Sequence, residues 1–237
     1  MKILFMGRKQ VSANLLRFLT KQDHIEIVGV LTDSHLQGSP TTAAAQELGL
    51  PLYTFDTALE AMREGRLKYD LGLSVLYWRK LRDEFLSIPT LGTINFHPAL
   101  LPEYKGTGGY NLAIMDELNE WGNTAHYVDA SIDTGEIIEV DRFPIDAETE
   151  TAQSLERKTM QALEPFAQRI IARAIESKTK LPTTPNIGGR YVSRDEMEAM
   201  KQILNGDNIE KKIRAFWFPP YDGAYVEING QKYTLIN

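Results

Sequence analysis

The chain has 237 residues, of which 43% are hydrophobic and 24% charged, so it can bury a sizeable core in one main domain with a smaller appendage. Its net charge of -6 argues against a general polyanion binder and leaves room only for a local basic patch, so no nucleic-acid partner is expected. The absence of cysteine excludes disulfides and thiolate nucleophiles. The apolar run 1–7 is too brief for a signal peptide or a membrane span, so we expect a cytoplasmic protein with no membrane partner.

Strand-length apolar runs alternate with amphipathic, helix-like segments in the first hundred residues. The expected strands are 3–6, 25–31, 71–76 and 93–96, and the expected helices include 15–21 and 41–48. This alternation predicts an α/β fold with a mostly parallel sheet covered by helices, whose functional groups lie at the carboxyl ends of the strands. The first strand-to-helix turn has the single glycine Gly7 and lacks the G-x-G-x-x-G fingerprint, which argues against a nicotinamide dehydrogenase.

The second half of the chain continues with two strands, a long helix and a tail. We expect strands at 124–128 and 136–143 and a helix at 151–177. The Pro/Thr-rich stretch 180–185 is typical of a linker, which predicts a main domain at 1–180 and a small C-terminal subdomain at 181–237. In the tail we expect helices at 194–204 and 209–216, then strands 224–228 and 231–235 joined by the hairpin signal Asn229-Gly230.

Three polar groups suited to acyl transfer lie at predicted strand ends. Because side chains alternate along a strand, Asn95 and His97 share one face while Phe96 points to the other. An amide N–H can stabilise an oxyanion, a neutral imidazole can manage a proton, and a carboxylate such as Asp133 can orient that imidazole. These are the groups needed to move an activated carbonyl onto an amine.

The spacing of these motifs resembles the folate-dependent formyltransferases. The motif Asn95-x-His97-Pro98 is followed by L-L-P-x-Y-x-G at 100–106, and Asp133-Thr134-Gly135 begins 38 residues after Asn95. The similarity covers about the first 175 residues. It implies a Rossmann-like formyltransferase domain, N10-formyltetrahydrofolate as the formyl donor, and Asn95, His97 and Asp133 as the catalytic set.

The same resemblance assigns binding residues, although aromatic residues at strand ends can equally be core and exposed charges are usually only solvated. The residues expected to bind the folate are Leu76, Tyr77, Trp78, Ile132, Thr134 and Gly135. Those expected to bind the acceptor are Arg8, Lys9, Arg79, Lys80, Tyr104, Lys105, Thr107, Gly108 and Tyr110. His126 either faces the pocket or packs inside the sheet, and His24 and His35 receive no role. No metal-ligand pattern is present, so no metal site is expected.

The C-terminal tail is the part of the chain that distinguishes between formyltransferases with different acceptors. The ending from Ile213 to Ala224 with the hairpin after it, preceded by Gly189-Arg190-Tyr191, is similar to nucleotide-sugar N-formyltransferases. That resemblance implies an amino-deoxyhexose linked to a nucleoside diphosphate, dTDP, UDP or GDP, with the amine at C3 or C4. Among these acceptors we expect dTDP-4-amino-4,6-dideoxyglucose, and we expect a homodimer that acts in O-antigen or lipopolysaccharide biosynthesis.

Other acceptors and other roles stay open. Methionyl-tRNA formyltransferases carry a larger C-terminal domain, and glycinamide ribonucleotide formyltransferases end soon after the long helix. A non-catalytic nucleotide-sugar binding protein and a formyltetrahydrofolate hydrolase are further alternatives. The apolar residues 216–218 are expected to form either a dimer surface or the core of the small subdomain.

Overall fold

The structure is a computed structural model that describes residues 1–32 and 38–236; His35 lies outside the described residues. The described residues form eleven strands and eight helices. The strands are β1 (Lys2–Gly7), β2 (Glu26–Leu31), β3 (Leu52–Tyr53), β4 (Leu71–Val75), β5 (Thr93–His97), β6 (Tyr104–Gly106), β7 (Glu120–Tyr127), β8 (Ile137–Pro144), β9 (Arg190–Val192), β10 (Tyr225–Ile228) and β11 (Gln231–Thr234). The helices are α1 (Gln10–Leu19), α2 (Pro40–Glu47), α3 (Phe55–Arg63), α4 (Asp83–Ser87), α5 (Gly109–Met115), α6 (Ala152–Ser177), α7 (Arg194–Ala199) and α8 (Ile209–Phe216).

Seven strands form the main sheet, in the order β3-β2-β1-β4-β5-β7-β8. The pairs from β3 through β5 are parallel, and β7 pairs antiparallel with β5. The predicted α/β class with a mostly parallel, Rossmann-like sheet is therefore confirmed. Strand order reverses between β1 and β4, and a reversal of this kind opens a crevice at the carboxyl ends of the strands.

Apolar packing fixes the position of β5, the strand that carries Asn95 and His97. Every residue of β4 is buried, as expected for a strand covered on both faces. On β5, Phe96 is fully buried and its ring packs edge-to-face against Phe166 of α6, with centroids 6.2 Å apart. Phe96 therefore points into the helical layer, which leaves its neighbours Asn95 and His97 on the opposite face.

By spatial contacts the chain divides into two compact units. One comprises 1–97, 124–140 and 163–186, and the other comprises 98–123, 141–162 and 187–237. These units are built from interleaved segments, and the boundary expected at 180/181 stays a prediction. None of the described helices combines the length and apolar composition needed to cross a membrane.

The C-terminal hairpin forms where the sequence predicts it. Asn229 and Gly230 have φ values of 50° and 77°, the positive pair that a two-residue hairpin turn requires. The helix expected at 194–204 ends earlier, at Ala199. The reason is that the backbone groups of Lys201 and Ile203 hydrogen-bond to Tyr225, so this stretch forms an isolated parallel bridge to β10 instead of continuing the helix.

Candidate active site

Three adjacent strands place three polar side chains in register at the carboxyl end of the sheet. Asn95 on β5 is the backbone partner of Ser74 on β4 and of His126 on β7. Cross-strand partners on one face have neighbouring side chains, so the strand register alone brings these groups together. All three lie in the first compact unit.

Hydrogen bonds fix the orientation of the Asn95 amide. The Ser74 hydroxyl donates to Oδ1 of Asn95 at 2.8 Å, and Nδ2 of Asn95 lies 3.1 Å from Nε2 of His126. Nδ1 of His126 lies 2.8 Å from the backbone carbonyl of Tyr127, which can only accept. Nδ1 therefore carries the hydrogen and, in the neutral ring, Nε2 accepts from Asn95. An amide nitrogen has two hydrogens, so one remains for a group in front of the strand.

Asp133 brings a carboxylate between two imidazoles. Its Oδ2 lies 3.5 Å from Nδ1 of His97, and its Oδ1 lies 3.6 Å from Nε2 of His126. The exposed fractions of these side chains are 11% for Asp133, 9% for His97 and 2% for His126. Limited contact with water strengthens the electrostatic coupling within this group. The arrangement can orient the His97 ring and stabilise positive charge on it.

The loop that presents Asp133 has an uncommon backbone. Asp133 has φ 55°, in the left-handed region that few residues other than glycine adopt. Asp129 accepts hydrogen bonds from the backbone of Ser131 at 3.1 Å and from the hydroxyl of Thr134 at 2.6 Å. Gly135 lies so close to β7 that a Cβ there would overlap the carbonyl oxygen of Tyr127. The D-T-G motif therefore positions a carboxylate through its backbone.

A cleft with about 540 Å³ of empty volume lies beside these groups. Five of the predicted binding residues line it: Tyr77, Trp78, Arg79, Lys80 and Ile132. The other described lining residues are Ser74, Leu81, Asn95, His126, Val128, Asp129, Ser131 and Asp133. The predicted catalytic and donor-binding segments thus meet at one cleft.

Three of the predicted folate-binding residues shape the edges of the cleft without lining it. Leu76 has φ 56° and turns the chain after β4, so that the next residues, Tyr77 and Trp78, reach the cleft. Thr134 and Gly135 fold the loop behind Asp133, as described above.

The remaining predicted acceptor residues lie elsewhere in the chain. Arg8 and Lys9 follow β1 in the first unit and are not among the described residues that line this cleft. The others belong to the second unit: Tyr104, Lys105, Thr107, Gly108 and Tyr110.

Within the second unit these residues have well-defined partners. The Tyr104 hydroxyl donates to Asp116 at 3.1 Å, and burial together with that carboxylate raises the pKa of Tyr104 to about 12. Burial also raises the pKa of Tyr110 well above its usual value. Lys105 is buried and donates to the carbonyl of Gly188 at 2.6 Å. The backbone N–H of Thr107 donates to the carbonyl of Val192 at 2.8 Å, and Gly108, with φ 83°, is the N-cap residue just before α5.

Ser74 was not singled out by the sequence, and His126 was left undecided. Both lie in the network that holds Asn95, and both line the cleft. The signal that identifies them is the strand register, because each is the direct partner of Asn95 on a neighbouring strand. Among residues 1–32 and 38–236, no group of three or more His, Cys, Asp or Glu side chains could hold a metal ion.

A known protein family matches most of this chain. The model of the formyl transferase family matches residues 1–171. The chain belongs to the formyl transferase family. This is a family of folate-dependent enzymes whose formyl donor is N10-formyltetrahydrofolate, as the motif resemblance predicts.

Individual relatives of this formyl transferase have different acceptors in their names. A methionyl-tRNA formyltransferase of Lysinibacillus sphaericus is 30% identical over 78% of this chain, which spans 64% of the relative's length. A 4-N formyltransferase structure from Francisella tularensis superposes with a TM-score of 0.82 at 20% identity, covering 100% of this chain and 96% of the other. An N-formyltransferase of Helicobacter canadensis, solved with folinic acid and dTDP-3-aminofucose, gives a TM-score of 0.75 at 25% identity, covering 98% and 86%.

The residues of the cleft fit the chemistry of a reduced folate. Tyr77 and Trp78 offer flat aromatic surfaces for a ring system, and Val128 and Ile132 add apolar area. Asp129 and Asp133 provide acceptors for ring N–H groups, while Arg79 and Lys80 match the carboxylates of a folate tail. The residues that line the cleft thus suit an amphipathic heterocycle with an anionic end.

Proposed function

We propose that this protein transfers the formyl group of N10-formyltetrahydrofolate to the amine of a nucleotide-linked amino-deoxy sugar. The observation that carries the proposal is that Asn95 and Asp133 both line a folate-compatible cleft, while His97 lies 3.5 Å from the Asp133 carboxylate. As the specific acceptor we propose dTDP-4-amino-4,6-dideoxyglucose, on the resemblance of the C-terminal segment to nucleotide-sugar N-formyltransferases. We also propose a cytoplasmic homodimer that acts in O-antigen or lipopolysaccharide biosynthesis.

The acceptor class is supported by the Helicobacter canadensis protein, which was solved with a dTDP-linked 3-amino sugar and a folate. The similarity to that protein extends over 98% of this chain, including the tail. Because the sugar in that complex has its amine at C3, a 3-amino sugar is the closest competitor of the proposed 4-amino sugar.

Each side chain has a separate part in the proposed reaction. The donor would supply an electrophilic formyl carbon for attack by the unprotonated sugar amine. The new C–N bond would replace the bond between the formyl carbon and N10, so that tetrahydrofolate leaves and N10 takes up the proton that the amine loses. The remaining Nδ2 hydrogen of Asn95 stabilises the oxygen on which negative charge develops. His97, with Nδ1 towards Asp133, presents Nε2 as the group that manages the amine proton. Asp133 keeps the ring in that orientation and stabilises its protonated form, and the cleft holds the reactants in contact.

The decisive experiment incubates the protein and formyltetrahydrofolate with a panel of acceptors. The panel contains dTDP-, UDP- and GDP-linked 3-amino and 4-amino sugars, and mass spectrometry of each sugar detects the gain of one CO unit. We expect the dTDP-linked 4-amino sugar to react with the highest kcat/KM. Binding of sugars without any mass gain would instead identify a non-catalytic binding protein, and formate release without an acceptor would identify a hydrolase.

A second acceptor is favoured by a specific observation, because a relative that is 30% identical in sequence is named a methionyl-tRNA formyltransferase. Methionyl-tRNA is therefore included in the panel. The net charge of -6 argues against it, since binding of tRNA depends on neutralising many phosphates. Formylation of methionyl-tRNA with a higher kcat/KM than any amino sugar would replace the sugar proposal.

A further inference from the structure

The segment that follows the long helix lies along the loop that carries Asp133. We refer to residues 181–186 as the strap. The backbone of Leu181 donates to the hydroxyl of Tyr127 at 2.8 Å. Thr184 and Ile137 exchange two backbone hydrogen bonds, at 2.8 and 2.9 Å. The strap therefore follows the connection between β7 and β8, and all of these residues belong to the first compact unit.

At the end of the strap, the side chain of Asn186 joins the two ends of the D-T-G motif. Its Nδ2 donates to the backbone carbonyl of Asp133 at 3.0 Å and to that of Gly135 at 2.8 Å. Both partners can only accept, so the amide nitrogen must face them and both of its hydrogens are used. Oδ1 of Asn186 is buried and has no hydrogen-bond partner among the described residues. The amide thus keeps two bonds to this loop although its own oxygen is left unsatisfied.

The bonded loop has a conformation that needs external support. Asp133 has a positive φ, and such residues persist only where the surroundings over-determine them. The Asp129 side chain ties the beginning of the loop, and Gly135 closes it against Tyr127. Asn186 is the contact from outside the loop that fixes the carbonyls on both sides of Thr134. Its removal leaves both carbonyls without that donor and frees the backbone of Asp133 to relax.

We propose that Asn186 is a positioning residue, which acts by holding the backbone of Asp133 so that the carboxylate faces His97. The proposal rests on the function proposed above, because it names how the same site is kept in register. It also assigns a role to a residue outside the matched family segment, which ends at residue 171. Because Asn186 is proposed to act on the site through the loop, we expect its loss to lower kcat and to leave substrate binding largely unchanged.

The first test compares Asn186→Ala and the nearly isosteric Asn186→Asp with Thr184→Val as a matched control. Thr184 lies in the same strap, and its hydroxyl donates to the backbone carbonyl of Ile137 at 3.5 Å, two residues beyond Gly135. We expect both Asn186 variants to lower kcat roughly ten- to a hundredfold, because small misplacements at a reacting site cost rates of that size. The KM for the amino sugar should change less than about twofold, because Asn186 is not expected to contribute to ground-state binding of the sugar. Thr184→Val should retain wild-type kcat, and equal losses in all three variants would overturn the proposal.

The second test is a double-mutant cycle with Asp133→Asn. If Asn186 acts through Asp133, Asn186→Ala should cause no further loss of kcat in the Asp133→Asn background. Independent, multiplicative losses would show that Asn186 has a purely structural role and would overturn the proposal. If Asn186→Ala does not fold, Asn186→Ser, which keeps one donor, replaces it in the cycle.

Hydrogen exchange separates this proposal from the proposed function. Amides 129–135 should lose protection in the Asn186 variants and keep it in Thr184→Val, whatever the acceptor. If the wild-type protein formylates no amino sugar but this exchange pattern appears, the sugar assignment fails and the bond from Asn186 to the loop stands. If the exchange in 129–135 is unchanged, the positioning role fails even in an active enzyme.

Discussion

Asn95 and His126 are direct partners across β5 and β7, and the amide of Asn95 donates to Nε2 of His126 at 3.1 Å. Since Nδ1 of His126 is committed to the Tyr127 carbonyl, both ring nitrogens are used within the protein. His126 therefore orients the amide, and we propose that His97, which lies against Asp133, is the imidazole that exchanges a proton with a substrate. The two neighbouring histidines thus have different proposed roles.

Replacing Asn95 with alanine should lower the kcat of formyl transfer about 100- to 1000-fold, the usual cost of losing one oxyanion donor. The fold should persist, because the side chain is only half-buried and fills no apolar core position. Steady-state kinetics gives the loss, and circular dichroism checks the fold. Asn95→Asp keeps the shape without an amide hydrogen, so it should be as impaired as the alanine variant. Near-normal turnover in either variant contradicts the role of Asn95.

His126→Phe should lower kcat by about tenfold or less, because one neutral hydrogen bond contributes on the order of 1 kcal/mol. A buried aromatic ring is kept, but the acceptor for Asn95 and the hydrogen bond to the Tyr127 carbonyl are both lost. In the Asn95→Ala background the same change should cause no further loss. A loss as large as that of Asn95→Ala would instead indicate that His126 handles the substrate proton directly.

The sequence predicts the sheet and the catalytic strand because both depend on local patterns. The β5 segment shows an apolar residue between two polar ones, and its N-x-H-P motif is part of the resemblance to the formyltransferases. The hairpin at Asn229-Gly230 is predicted for a similar reason, since two positive φ values are needed at adjacent positions. Patterns with a period of two or with a fixed turn are visible in one stretch of chain.

Relationships between distant stretches of chain were not predictable in the same way. Ser74 and Asn95 are neighbours only once β4 and β5 pair in one particular register, which the sequence does not specify. The early end of α7 has the same origin, because its last expected turn pairs with Tyr225, more than twenty residues later. Short elements such as β3 and β6 were also missed, since two or three residues carry no periodicity.

Gly135→Ala should disrupt the Asp133 loop. The added methyl group meets the carbonyl of Tyr127, which belongs to a paired strand and cannot move freely. We expect a stability loss of about 1 to 3 kcal/mol, as for other overpacked sites, and a fall in kcat. Urea unfolding and steady-state kinetics measure the two effects.

The matched control for this variant is Gly49→Ala. Gly49 has φ 64°, so a side chain there carries a backbone cost, but no atom lies within 4 Å of its Cβ position. Gly49→Ala should therefore lose some stability and keep full turnover. If Gly135→Ala keeps wild-type turnover as well, the loop tolerates displacement and the fixed position of Asp133 is not needed.

The pH dependence of stability should reveal the ion pairs of Glu139. Burial alone would raise its pKa, but hydrogen bonds from Arg169 and Arg173 prevail and hold the pKa of Glu139 below its usual value. A carboxylate with a depressed folded-state pKa stabilises the protein above its unfolded pKa of about 4.3, and this contribution is lost as the pH falls through the lower, folded value.

Because the three side chains are partly exposed, Glu139→Gln should cost less than about 1 kcal/mol at pH 7. Urea unfolding of both proteins between pH 7 and 3 should show this difference shrinking towards the acid end. A difference that stays constant with pH would mean that the carboxylate charge does not contribute, and that the effect of the substitution comes from packing.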